Sequence, residues 1–174
     1  ALRHAKDGQA LVGAAEGSMQ EASKILQRMR ELAVHAASGI ATEVDKDYLN
    51  VEMSHLVQQI DSISSNSKFN QRQLLTGDQF TFYTEMNIKG FNITTVSSDI
   101  SVTSLGVSQT TVSIGGGVAQ NSLSNVVSAI DGAIASVSSK RASLGAVSNR
   151  FDHILSNLGS IIDNTVRSKG IMID

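Results

Sequence analysis

From Leu123 the residues Leu123, Ile130, Val137, Leu144, Phe151 and Leu158 recur every seven positions, and Val126, Ala133, Val147, Ile154 and Ile161 fall three further on. A seven-residue apolar repeat keeps one seam of a helix against a partner helix, turn after turn. Carried to about Ser168, the pattern predicts a helix of nearly 50 residues, roughly 70 Å long at the usual rise per residue. A compact domain of 174 residues has no room for such an element. The chain must therefore fold as a rod. Proline and tryptophan are absent and aromatic residues make up 4% of the sequence, which suits long uninterrupted helices packed through aliphatic side chains.

The other elements follow from spacing and punctuation. Ala15, Met19, Ala22, Ile25, Leu26, Met29, Leu32, Ala33 and Ala36 keep one face buried and predict a first helix from about Asp7 to Ala37. Ser38 and Gly39 supply its stop, and Thr42 with Asp45 reads as the capping residue and third-position acid of a new helix. That second helix should span Glu43–Ser64 with Leu49, Met53, Leu56, Ile60 and Ile63 inward, and the short connection favours antiparallel packing on the first. NSKFNQRQLLTGD follows as a loop with two apolar anchors. FTFYTEMNIKGFNITTV alternates and predicts two strands joined at Lys89 and Gly90, while ISVTSLGV and TTVSI look like further strands. Gly115 to Gly117 read as a flexible hinge, and Asn121 or Ser122 can cap the long helix. The expected fold is mainly α: two N-terminal helices and one long C-terminal helix in coiled-coil-like packing, plus a small β-hairpin region. The three segments, 1–76, 77–117 and 118–174, form one structural domain.

Composition narrows the function classes. Lysine and arginine number 14 against 16 acidic residues, so the net charge of -2 supplies no electrostatic footprint for nucleic acid or an anionic membrane. The longest apolar runs fall far short of the ~20 residues that cross a bilayer. Without cysteine there is no disulfide or thiolate metal site. His4, His35, His55 and His153 are scattered, with no acidic companion at ligand spacing, so no metal is expected. SIGGGVAQNS lies between a predicted strand and a helix, yet lacks the lysine and spacing of a phosphate loop, and no cofactor is expected. Glu43, Asp45 and Asp47 crowd the first turns of the second helix and are assigned to its dipole rather than to acid–base chemistry. No catalytic set can be nominated from spacing. Asn92-Ile93-Thr94 matches a glycosylation sequon, a short pattern that carries little weight.

One stretch of the first helix stands apart. Arg28, Glu31, Leu32 and His35 share a face beside the packing stripe by their i, i+3, i+4, i+7 spacing. That face is either a solvated surface with local ion pairs or a protein interface, since arginine beside an apolar contact is favoured where proteins meet. Spacing accommodates both.

LQRMRELAV at Leu26 to Val34, preceded by AEGSMQEASKI, resembles the N-terminal rod signature of bacterial flagellin. SKFNQRQLL at Ser67 to Leu75 resembles that family's Phe-Asn-Gly followed by a leucine pair, and IDGAIASVSSKRASLGAVSNRFDHILSNL at Ile130 to Leu158 resembles its C-terminal rod helix. The resemblance covers roughly Asp7–Leu75 and Ser122–Ser168, and the middle is not recognisable. It implies a structural subunit of the flagellar filament and no enzyme, exported without a cleaved signal peptide and assembled outside the cell with other flagellin subunits for motility. It also implies recognition of free monomers by Toll-like receptor 5 through Arg28, Leu32 and Glu52, with Gln27 and Glu31 flanking. Two departures stand out: Gln71 occupies the place of the family's glycine, and RSKGIMID follows the family's ending only loosely. The chain is expected to lack the segments that build the filament's inner tube, and so to be monomeric by itself. The hook–filament junction protein and a coiled-coil adaptor unrelated to motility are the alternatives.

Overall fold

The computed structural model describes residues 2–83, 92–94 and 98–173. Helix α1 spans Leu2–Ala37, α2 spans Glu43–Asn66 and α3 spans Gln120–Ile173. At 54 residues, α3 is ~80 Å long. Two short antiparallel pairs lie between α2 and α3: β1 (Lys68–Phe69) with β2 (Arg72–Gln73), and β3 (Thr81–Tyr83) with β4 (Asn92–Thr94).

Side-chain links set the register of the rod. Gln9 reaches Asp152, Glu16 faces Arg141, Arg30 reaches Asp131 and Gln120 reaches the Ala37 carbonyl, so α3 runs antiparallel to α1 along its whole length. Arg28 meets Glu52 and Ser18 meets Ser67, which makes α2 antiparallel to α1 as well. The core is the seam these helices share: Leu11, Val12, Ala15, Met19, Leu26, Met29 and Ala33 from α1, Met53, Val57 and Ile60 from α2, and Leu123, Ile130, Val137, Leu144 and Phe151 from α3. Phe151 lies at 0% exposure, directly over Gly8, where an added Cβ would stand 2.4 Å from the ring. Phe82 meets the same ring edge to face at 5.6 Å, and so pins β3 to the rod.

Several expectations are met. The turn at Gly39, with φ +73°, ends α1, and Thr42 and Asp45 exchange the paired hydrogen bonds that start α2. The β3–β4 pair forms where alternation predicted a hairpin, and its expected turn at Lys89 and Gly90 lies outside the described residues.

Other expectations are corrected. Helix α1 begins earlier, at Leu2, because Ala5, Leu11 and Val12 extend its buried face toward the N-terminus. ISVTSLGV and TTVSI are not strands but consecutive turns. Asp99 accepts from the Ser101 amide, Val107 bonds back to Val102, Val112 bonds back to Ser108, and Gly106 sits at φ +69°. Short polar side chains thus offer the backbone local partners, and turns win over a ladder. Neither Asn121 nor Ser122 caps α3, which begins at Gln120 with the Ala119 carbonyl accepting from the amides of Ser122 and Leu123. The heptad seam also runs out: Ile161 is half exposed, because α1 starts at Leu2, about two turns beyond the Gln9–Asp152 link, and no described helix faces α3 past that level.

Candidate protein-interaction face

The connection between α1 and α2 is short, and antiparallel packing brings residues 24 positions apart into contact. Arg28 Nε donates to Glu52 Oε1 at 2.8 Å, and Nη1 donates to Glu31 Oε2 at 3.0 Å. One guanidinium therefore bridges two carboxylates on two helices. The bond to Glu52, then that to Glu31, holds the Arg28 pKa above its ordinary value. All three side chains keep roughly half their surface open, at 50% for Arg28, 68% for Glu31 and 43% for Glu52. Screening at such exposure leaves the network little weight in stability. What it does supply is a fixed, planar arrangement of donors and acceptors at the surface.

The five residues singled out from sequence divide here. Gln27, Arg28, Glu31 and Glu52 face outward or lie half exposed, and the structure brings Arg28, Glu31 and Glu52 together. Leu32 does not join them: it is 3% exposed and belongs to the core. It stands three residues beyond Met29 and next to Ala33, so it falls on the packing stripe rather than beside it. His35 is exposed, in the last turn of α1.

The sequence reading missed an apolar component. Val44, Tyr48 and Val51 recur at i, i+4 and i+7 on α2, and they are 60%, 72% and 57% exposed. Their helical phase points away from Met53, Val57 and Ile60, and Tyr48 lies one turn from Glu52 on the same helix. Their own i, i+4, i+7 spacing carries the signal, outside the inward stripe of Leu49, Met53, Leu56, Ile60 and Ile63.

Glu43 and Asp47, read as dipole partners of α2, turn instead toward the chain before α3. Asp47 Oδ1 accepts from the Gly116 amide at 2.7 Å, and a Glu43 carboxylate oxygen accepts from the Gly117 amide. Gly116 and Gly117 are thus fastened to α2 through their amides. Among the described residues no group of His, Asp and Glu is placed to hold a metal ion, and no helix is long and apolar enough to cross a membrane.

An antiparallel helical rod with a bridged charged face and an outward apolar stripe is an architecture suited to protein–protein contact. The chain matches the bacterial flagellin N-terminal helical region over residues 1–79 and the C-terminal helical region over residues 127–174. It is 31% identical over 204 residues to a flagellin of Bacillus subtilis, covering 100% of this chain and 67% of that protein. A flagellin of Halalkalibacterium halodurans is 31% identical over 164 residues, covering 94% of this chain and 60% of the relative. The crystal structure of Bacillus cereus flagellin superposes with a TM-score of 0.79 at 26% identity, covering 90% of this chain and 89% of that one. FliC from Burkholderia pseudomallei shares the fold, with a TM-score of 0.69 at 15% identity over 82% of this chain and 99% of that one. The chain belongs to the bacterial flagellin family, whose members are structural and not enzymes. It spans 60% and 65% of the length of two of its curated relatives, from Halalkalibacterium halodurans and Treponema maltophilum.

Proposed function

We propose that the chain is the rod of a bacterial flagellar filament subunit, secreted to the outside of the cell, where it serves motility by packing against other flagellin subunits. Membership of the flagellin family carries this reading. The architecture supports it, because a stiff helical rod with its apolar seam enclosed as far as Phe151 and a mixed charged and apolar face outside suits repeated side-by-side contact. In the organism that encodes it, disrupting the gene should abolish surface filaments and swimming, and restoring the gene should return both. Filaments of normal number and length in the disrupted strain would overturn the reading.

Within it, Gln27, Arg28, Glu31 and Glu52 form a contact surface used between subunits and recognised on free monomers by Toll-like receptor 5. The bridged geometry of Arg28 with Glu31 and Glu52 supports such a use, since a pre-ordered guanidinium loses little freedom on binding. Leu32 contributes from beneath by seating this part of α1 in the core. Arg28→Ala and Glu52→Ala, with helical circular dichroism unchanged, should each weaken receptor binding about tenfold, as removal of a contact hot spot does. Undiminished binding by both variants contradicts the receptor assignment and leaves the filament reading intact.

A further inference from the structure

The described segment between β4 and α3, residues 98–119, carries no helix or strand, yet it is closely held. Ile100, Leu105, Val107, Val112 and Ile114 are buried in the core. Three backbone amides near the segment's end are taken by one face of α2. Asn50 Oδ1 accepts from Ile114 at 3.0 Å, Asp47 Oδ1 from Gly116 at 2.7 Å, and Glu43 from Gly117. Positions 43, 47 and 50 stand at i, i+4 and i+7, so they form a row that grips a strap crossing the helix. The glycines permit the close approach. A Cβ at Gly116 would stand 3.1 Å from Asp47 Oδ1 and 3.2 Å from the Glu43 carbonyl oxygen, and Gly117 adopts φ +83°.

We propose that this strap is an acid-released latch: Glu43, Asp47 and Asn50 clamp residues 114–117 to α2, and protonation of the Glu43 carboxylate frees the Gly117 end of the strap while the helices stay folded. A carboxylate accepts an amide with charge assistance, whereas a carboxylic acid loses that assistance and turns one oxygen into a donor. The Gly117 hydrogen bond, and then Lys46, hold the Glu43 carboxyl below its ordinary range. The Glu43 part of the clamp is therefore complete above the ordinary glutamate pKa and is lost as pH falls through the lower, folded value.

The surrounding charges leave Glu43 in control. Lys46 Nζ lies 3.4 Å from Glu43 Oε1. Asp45 is engaged by Thr42 and is attracted by His35 of α1. Residues 107–119 and the first turn of α3, Gln120 to Leu123, contain no titratable side chain.

The experiment is amide hydrogen exchange on the whole 174-residue chain, resolved by nuclear magnetic resonance and corrected for intrinsic rates. It compares the natural sequence with Glu43→Gln, Asp47→Asn and the double variant. At neutral pH the double variant should open about tenfold more at Ile114, Gly116 and Gly117, with α1 and α3 amides unchanged. The natural chain should show a rise at Gly117 as pH falls from about 7 to about 3, and Glu43→Gln should show no such step. Equal protection of the three amides in all chains, a flat pH response, or strap opening that coincides with helix opening at every pH would each overturn the latch. None of these outcomes touches the filament reading.

Discussion

The inner and outer surfaces of α1 are built from different materials. Toward α3 it presents alanine, leucine, valine and methionine side chains at or near zero exposure, met by an apolar repeat that continues to Phe151. Toward the outer edge of α2 it presents Arg28, whose partners Glu31 and Glu52 are both half open to water. Burial of apolar surface is worth far more to folding than a screened ion pair. The seam should therefore hold the rod together, and the charged edge should be free to serve recognition.

The largest effect should come from the seam's tightest point. Phe151→Ala empties a fully buried ring site that also anchors Phe82, and denaturant unfolding should report a loss of about 3–5 kcal/mol. Gly8→Ala comes next. Alanine ordinarily improves a helix, but here its Cβ would meet Phe151 at 2.4 and 2.6 Å, so a loss of about 1–3 kcal/mol is expected. A gain in stability from this substitution would break the comparison at once.

Smaller effects test the boundary between the two regions. Thr42→Ala removes the hydroxyl's two bonds to Asp45, accepting from its amide and donating to its carboxylate, while the backbone bond of residue 42 remains, and should cost about 1 kcal/mol. Those bonds hold the Asp45 carboxyl below its ordinary range, with the Thr42 hydroxyl the first cause. The cap's contribution should then be complete above the ordinary aspartate pKa and be lost as pH falls through the lowered value, and Thr42→Ala should flatten that acid-side slope in a pH series of melts. Gln71 lies at φ +66° in the β1–β2 turn, a conformation that costs a side chain about 1 kcal/mol, so Gln71→Gly should stabilise by a similar amount. The smallest effect is predicted for Arg28→Ala, whose thermal midpoint should match that of the natural chain.

What the sequence made legible is what periodicity controls. The heptads from Leu123, the stripe from Ala15 and the Thr42–Asp45 box each depend on neighbours a few residues away, and each appears in the structure. The strap departs from the strands expected there because Ile100, Leu105, Val107, Val112 and Ile114 are apolar and spaced as in strands, while nothing in that pattern reports how serine and aspartate side chains capture the backbone. The partners of Glu43 and Asp47 lie 74 and 69 residues away, beyond the reach of local spacing. In the candidate face, Arg28 and Glu31 were visible as helical neighbours. Their meeting with Glu52 entered through family resemblance, and the burial of Leu32 needed the packing of three helices to be seen.

The departure at Gln71 shows how such readings can be sharpened. A glycine would enter the left-handed conformation without strain, yet Asn70 at φ +49° and Gln71 at φ +66° still close the β1–β2 pair in the same two-residue turn. The strands are short, with Lys68 opposite Gln73 and Phe69 opposite Arg72, and Arg72 lies over the Phe80 ring at 4.4 Å. Tertiary contacts from Leu74 and Leu75, both buried, hold the turn in place despite its local cost.

The central claim is that this rod is a repeating subunit of the filament and not a component found at one place along it. The most direct test is immunogold electron microscopy of intact cells of the encoding organism, with antibodies raised against this chain. Labelling along the full length of the surface filaments is the predicted result. Gold confined to the base, where filament meets hook, or absent from the filaments altogether, would contradict it.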